Sequence, residues 1–162
     1  EGITACVSSW RRVSDNMIPA RAKPCAAYLN SALARFEAKT NGFDEAIFLT
    51  GDGYVSEGSA EHVFLVRDGE LMTPTCQDDN LEGITRRSLV TLTREELGRA
   101  VTERRIARTE LYVADEIFFC GTGAEVTPGA ARSRRKRPAF PRRAACVAVR
   151  SNVAAGKAKE HP

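Results

Sequence analysis

A lysine, a glutamate and a glycine–threonine turn lie in fixed order along this chain. The lysine stands in Ala22-Lys23-Pro24-Cys25-Ala26-Ala27-Tyr28, the glutamate in Tyr54-Val55-Ser56-Glu57-Gly58, and the turn in Leu81-Glu82-Gly83-Ile84-Thr85-Arg86. A lysine amine can form a Schiff base with an aldehyde. A carboxylate can hold a pyridine nitrogen protonated, which makes the ring an electron sink. A turn that opens a helix offers unpaired N–H groups and the positive end of the helix dipole to a phosphate. Those three capacities are what pyridoxal 5'-phosphate requires.

Each signal alone has an ordinary structural reading. A lysine before a proline is usually a solvated surface residue. Glu57 can be an exposed turn residue at a strand end, and Tyr28 a half-buried helical tyrosine. Gly83-Ile84-Thr85 can be merely a helix cap. Gly121-Thr122-Gly123 can be a plain strand-ending turn, although small residues there also let a ligand approach the backbone. The order and spacing of all of them together carry the reading.

The elements that must position these residues follow from periodicity. Cys6 to Trp10 reads as a short strand. From Ala26 to Lys39 the apolar positions Tyr28, Leu29, Leu33 and Phe36 recur at helical spacing, and Asn41-Gly42 ends the helix. Glu45 to Thr50 is an apolar strand, Gly51-Asp52-Gly53 a turn, and Tyr54 to Ser56 extended again. His62 to Arg67 and Glu70 to Thr73 flank Asp68-Gly69 as a hairpin. Gly83 opens a helix to about Leu97, with Leu89, Leu92 and Leu97 on or near one face. Val101 to Ile106 alternates like a strand. Thr109 is the expected N-cap of one or two helical turns to Ala114. Glu116 to Cys120 is a further strand. Lys23 is expected at the end of an extended loop, because Pro24 disfavours helical backbone at the residue before it. At Pro128 the pattern stops.

Composition bounds the class. The 162 residues are 43% apolar and 28% charged, as in a globular domain. No apolar run approaches the roughly 20 residues of a membrane-spanning helix, and the chain does not open on a secretory signal. The cysteines are Cys6, Cys25, Cys76, Cys120 and Cys146, with no C-x-x-C pair, and His62 and His161 are the only histidines. Zinc spacing is absent, and scattered reduced thiols suit a cytoplasmic location. Residues 129–162 hold seven arginines, three lysines and one glutamate, a net +9 in a chain of +3, which leaves −6 for residues 1–128. That basic stretch offers only Phe140 for stacking on bases, so we expect neither a nucleic-acid partner nor a membrane partner.

From Val7-Ser8-Ser9-Trp10-Arg11-Arg12 to Glu125-Val126-Thr127-Pro128 the chain resembles the class IV, fold-type IV pyridoxal-phosphate enzymes. Within them it resembles the branched-chain amino-acid aminotransferases. The resemblance rests on Tyr28-Leu29-Asn30-Ser31, Tyr54-Val55-Ser56-Glu57-Gly58-Ser59-Ala60-Glu61, Gly83-Ile84-Thr85-Arg86, Glu110 to Phe118 and Gly121-Thr122-Gly123-Ala124-Glu125. It implies an α+β fold, the family's large domain, a distorted barrel of mostly antiparallel strands flanked by helices. It implies Lys23 as Schiff-base lysine and proton shuttle, and Glu57 at the pyridine nitrogen. Tyr28 would lie near the phenolic oxygen and Leu81 against the ring. Gly83, Ile84, Thr85 and Thr122 would cradle the phosphate, Thr122 and Gly123 would receive the substrate carboxylate, and Glu61 is a second glutamate near the site. The implied reaction moves an amino group from a branched-chain L-amino acid to 2-oxoglutarate, in an enzyme whose relatives are homo-oligomers.

The chain also departs from the family. His62 stands where the family commonly has asparagine, and Pro24-Cys25-Ala26-Ala27 replaces a glycine-asparagine run. The family's N-terminal small domain, which carries a phosphate-binding arginine and substrate contacts, has no counterpart in this sequence. Residues 1–128 are therefore expected to be an incomplete large domain. Residues 129–162 match nothing and are expected to be irregular; a reading-frame shift in a GC-rich gene is one explanation, tested by resequencing the DNA. Two alternatives stay open: another class IV enzyme, such as a D-amino-acid transaminase or an aminodeoxychorismate lyase, or an inactive fragment.

Overall fold

The computed structural model describes residues 2–130. The expectations for residues 131–162, and Cys146 and His161 with them, lie outside the described residues. The strands are β1 (Ile3–Arg11), β2 (Glu45–Leu49), β3 (Val55–Gly58), β4 (His62–Arg67), β5 (Glu70–Thr73), β6 (Val101–Glu103), β7 (Glu116–Gly121) and β8 (Glu125–Ala130). The helices are α1 (Ala27–Thr40) and α2 (Ile84–Leu97), and two 3-10 turns span Ala20–Ala22 and Arg108–Tyr112. All eight strands join one sheet in the order β3-β2-β1-β8-β7-β4-β5-β6.

Four of the seven strand pairings are antiparallel, as the resemblance implied, and three are parallel. Two of the parallel pairs have one cause. β1 reaches β2 through α1, and β5 reaches β6 through α2, and a helical crossover returns the chain to the same end of the sheet. The hairpin β4–β5 is tight because Asp68 and Gly69 both take positive φ, 52° and 80°, the geometry of a two-residue turn that matches strand twist.

The sheet curls until its ends touch. Val55 N–H donates to Ile106 O at 2.8 Å, and Tyr54 bridges Ala107. β3 at one end thus meets the chain just beyond β6 at the other. The period-2 alternation of the strands then sorts side chains to two sides. Ile47, Leu49, Val63, Leu65, Ile117 and Phe119 join a core cluster to which neither helix contributes. Their neighbours face outward. Ala46 and Phe48 meet α1, while Phe64, Val66, Phe118 and Cys120 meet α2 through Leu89. Phe64 and Phe118 stack at 5.1 Å between ring centroids, both fully buried.

Three local expectations need correction, and the packing of α1 is a further finding: Leu29 is 69% exposed and Phe36 72%, whereas Ser31, Ala34 and Ala38 are buried. Small residues let this helix lie close against β1 and β2, and the larger ones are left outside. Lys23 is not extended. It has φ 50° and ψ 47°, because it ends the 3-10 turn and its N–H donates to Ala20 O at 3.1 Å. The turn near residue 109 starts two residues early, with Ala107 rather than Thr109 as its N-cap, and the Glu110 carboxylate receives the Ala107 N–H at 2.8 Å. The extended pattern continues past Pro128, since β8 runs to Ala130 between β7 and β1. Pro128 stands opposite Phe118 of β7, and β1 pairs with β8 only at the next two residues, Gly129 and Ala130.

Candidate active site

Three separate pieces of chain converge on one open hollow. The first is the turn before α1, from Pro19. Ala22 and Lys23 N–H groups close its 3-10 bonds, and the Ala27 and Tyr28 N–H groups donate to Pro24 and Cys25. The Arg21 guanidinium ties this turn to the loop of residues 74–82, reaching Cys76 O at 2.9 Å and Glu82 at 3.0 Å. The second piece is β3 and its exit, Glu57 to His62. The third is the loop that ends at Leu81. That loop is pinned at two points: fully buried Asp78 pairs with Arg105, beyond β6, at 3.0 Å, and Asn80 donates to Thr75 O within the loop at 2.8 Å.

The hollow is lined by Lys23, Tyr28, Glu57 and Leu81, with Arg12, Ser31, Ser59, Glu61 and His62 among the other walls. Lys23 and Tyr28 are exposed at it, and Glu57 is buried. The amine and the acid named from sequence therefore share one space. Gly83, Ile84 and Thr85 open α2 but are not among the lining residues. Gly83 still abuts the hollow's wall, since a Cβ built on it would lie 2.2 Å from His62 Nε2. Its φ of −69° and ψ of 140° suit any residue, so space rather than backbone freedom demands a glycine here. With no capping side chain, the first N–H groups of α2 are left for another acceptor. Thr122 and Gly123 are exposed in the turn between β7 and β8, also outside the lining. That turn adjoins the hollow through Gly121, where a Cβ would meet Ala60 O at 3.4 Å and Glu61 Cγ at 3.5 Å.

The charges around Glu57 are closely arranged. Its Oε1 lies 2.7 Å from Arg12 Nη2, and both side chains are less than a tenth exposed. Its Oε2 accepts the Leu81 N–H at 3.2 Å and lies 3.7 Å from His62 Nδ1. Burial raises the Glu57 carboxyl above its ordinary value, and the Arg12 guanidinium and the Leu81 N–H offset part of that rise. His62 is pushed down to about 4, first by burial and then by the cations Arg86, Arg12 and Lys23, so it is neutral near pH 7. Glu61 is pushed up to about 7 by burial and by the neighbouring carboxylate of Glu45. Glu45, 1% exposed, is held by the N–H groups of Ala46 and Ser59 at 2.8 and 2.9 Å.

Sequence reasoning did not assign Arg12, Ser31 or Glu45 to this place. Arg12 and Glu57 are joined only by the pairing of β1, β2 and β3, which no local pattern reveals. Among the described residues no group of His, Cys, Asp and Glu has the arrangement of a metal site, and no helix is long and apolar enough to cross a membrane. Cys6, Cys25, Cys76 and Cys120 are free thiols.

Comparison with known proteins follows the same lines. The family model described as amino-transferase class IV matches residues 1–131. A probable branched-chain-amino-acid aminotransferase of Aquifex aeolicus is 54% identical over 136 residues, 84% of this chain and 44% of that protein. The branched-chain-amino-acid aminotransferase of Escherichia coli K12 is 47% identical over 128 residues, 79% of this chain and 41% of that protein. The chain thus spans less than half the length of these curated relatives. The crystal structure of the branched-chain amino acid aminotransferase from Thermobaculum terrenum in its PLP-form superposes with a TM-score of 0.87 at 43% identity, covering 93% of this chain and 49% of that one. The curled mixed sheet with its two crossover helices is the fold of those enzymes, and this chain belongs to the class IV aminotransferases.

Proposed function

We propose that this chain is the cofactor-holding part of a pyridoxal-phosphate-dependent transaminase that acts on branched-chain L-amino acids, with 2-oxoglutarate as amino acceptor. The observation that carries the reading is the single hollow shared by Lys23, Tyr28, Leu81 and a buried Glu57 paired with arginine. The donor set fits the cofactor: an amine at the rim, an acid on the wall, and uncapped helix N–H groups beside the Gly83 turn. The Ser59 hydroxyl, buried on that wall, has no hydrogen-bond partner among the described residues and leaves a hydrogen bond for a ligand. Relatives whose names state this activity support the substrate class.

When bound, the cofactor supplies an aldehyde for amine exchange and a ring that accepts electrons. Lys23 would hold it covalently through Nζ and, once released by the incoming substrate amine, take the proton from the substrate Cα. Glu57 would hold a proton at the pyridine nitrogen, and the Tyr28 hydroxyl would meet the phenolic oxygen. Leu81 would lie against one ring face and exclude water there. Gly83, Ile84, Thr85 and Thr122 would receive the phosphate, and the backbone of Thr122 and Gly123 the substrate carboxylate.

The test is borohydride reduction in the presence of pyridoxal phosphate, followed by peptide mapping. Label concentrated on the peptide containing Lys23, and lost in Lys23→Ala, is expected; label spread over surface lysines overturns the reading. A second reading is binding of the cofactor by this chain without turnover. Amino transfer from leucine, isoleucine or valine to 2-oxoglutarate, assayed on the same sample, separates the two.

A further inference from the structure

Glu57 faces a conflict that its own strand does not resolve. To hold a proton on a pyridine nitrogen it must be an anion, yet it is buried, and burial favours the neutral acid. Some cation has to keep it charged. The candidates around it come from every element that lines or flanks the hollow. His62 on β4 lies 3.7 Å away but is neutral at pH 7. Lys23, on the turn before α1, is the amine that would be taken up in bonding the cofactor. Arg86 on α2 is engaged elsewhere, with Pro74 O at 2.8 Å and Glu103 at 2.7 Å. Glu61, beyond β3, is itself an acid, and Tyr28 on α1 carries no positive charge. Arg12 remains.

Arg12 is held by its surroundings as firmly as it holds Glu57. It follows the last residue of β1, and its backbone N–H donates to Leu49 O at 2.9 Å. Its Nη1 donates to the Ser31 hydroxyl at 3.1 Å, and its guanidinium lies over the buried Phe48 ring, 5.2 Å from the centroid. That leaves Nη2 aimed at Glu57 Oε1 at 2.7 Å. A planar guanidinium fixed by a hydroxyl and a ring face cannot swing away, and it stays charged at any pH the protein meets. The two glutamate oxygens are thereby divided: Oε1 is committed to Arg12, while Oε2 has one backbone donor and capacity left for the hollow.

We propose that Arg12 is a positioning residue that keeps Glu57 ionised and reserves Oε2 for the ring nitrogen of the bound cofactor. The proposal rests on the reading that Glu57 meets a pyridine nitrogen, and it reaches a residue outside the contacts that reading names. It also gives a use to Ser31 and Phe48, whose positions on α1 and β2 set the direction of the guanidinium.

The test starts on the chain without cofactor, so that its outcome does not depend on loading. Carboxyl carbon NMR of glutamate-labelled protein, with Glu57 assigned through Glu57→Gln, follows the protonation of that one side chain against pH. The wild type is expected to show Glu57 ionised at neutral pH; a protonated Glu57 there overturns the proposal, whatever the variants do. In Arg12→Met the proton affinity of Glu57 should rise roughly 10- to 1000-fold, the usual effect of removing an opposite charge within about 4–6 Å. Arg12→Lys should restore most of the difference. Arg12→Gln, which keeps the side chain's polarity, serves if the methionine variant does not fold. Equal Glu57 affinity in wild type and any folded, uncharged variant overturns the proposal. With pyridoxal phosphate added, the visible spectrum of the bound cofactor should change at higher pH in Arg12→Met than in wild type, in step with the rise in Glu57 proton affinity. A wild type that does not take cofactor on Lys23 refutes the proposed function and leaves the NMR result on Arg12 standing.

Discussion

Adding one methyl group at Gly83 tests how tightly the helix-opening turn is fitted to the wall beneath it. A Cβ there would sit 2.2 Å from His62 Nε2, 2.8 Å from Cδ2 and 3.4 Å from Cε1. Ordinary contact needs more than an ångström beyond the first of these, so something must move. The imidazole cannot move freely: it is 5% exposed, and its other nitrogen is already 3.7 Å from Glu57 Oε2. Either the ring is driven toward the acid or the start of α2 lifts off. Forcing an extra methyl into packing of this kind costs about 1–3 kcal/mol. For a domain of this size each of those is roughly 2–4 °C in Tm. Urea and thermal unfolding of Gly83→Ala read the loss directly, and the double variant His62→Ala, Gly83→Ala makes it specific. Removing the ring should return most of the stability, a coupling of about 1–3 kcal/mol. The control is Gly98→Ala at the end of α2, where φ is +63° and nothing lies within 4 Å of a built Cβ. Its cost is backbone strain, which His62→Ala should leave untouched. Gly83→Ala unfolding with the wild type, or a double variant no better than the single, would refute the reasoning.

Two further predictions concern the rest of the fold and the titration of the hollow. Phe64→Ala, which empties half of the buried stack beneath α2, should cost about 3–5 kcal/mol in urea unfolding. His62 and Glu61 should contribute pH dependence of opposite sign. His62 titrates at about 4 in the fold against an ordinary 6.5, so it costs no stability above pH 6.5 and lowers stability as pH falls from there to about 4. Glu61 titrates at about 7 against an ordinary 4.5, so its contribution is complete below pH 4.5 and is lost as pH rises toward 7. Between pH 4.5 and 6.5 the two offset one another. Glu61→Gln should leave stability that rises with pH across that window, and His62→Asn stability that falls; unchanged slopes in both would discard the assignment.

Much of the ladder could be read from residue order, and the reasons for the exceptions are physical. The β4–β5 hairpin was legible because Asp68-Gly69 is a turn by its own chemistry, and α2 because Gly83 and the leucine spacing mark its start and its inner face. Two of the three parallel pairings were latent in the order strand, helix, strand, with no hairpin turn between. α1 was legible as a helix, but its orientation was not. Its leucines and phenylalanine keep helical spacing, but the helix approaches the sheet through alanine and serine, and periodicity says which residues share a face, not which face is covered. The backbone of Lys23 follows from a turn closed three residues earlier, which overrode the preference imposed by Pro24. At the site, Lys23, Tyr28, Glu57 and Leu81 were named from motifs and lie around one hollow. Arg12 belongs to the same motif-bearing stretch but acquires its partner only when β1, β2 and β3 line up. Charge pairs made across strands leave no spacing to read.

The meeting of Val55 with Ile106 sets an order of events during assembly. β3, which carries Glu57, can pair with β2 as soon as both have been synthesised, yet its free edge stays unmet until the segment beyond α2 has emerged and folded back. Contacts so far apart along a chain form late, because the intervening loop must first be closed. The lysine side of the hollow can take shape early, from bonds between near neighbours. The acid side waits, so a ribosome-bound chain halted before Ile106 would hold Lys23 in its turn before Glu57 had a settled place.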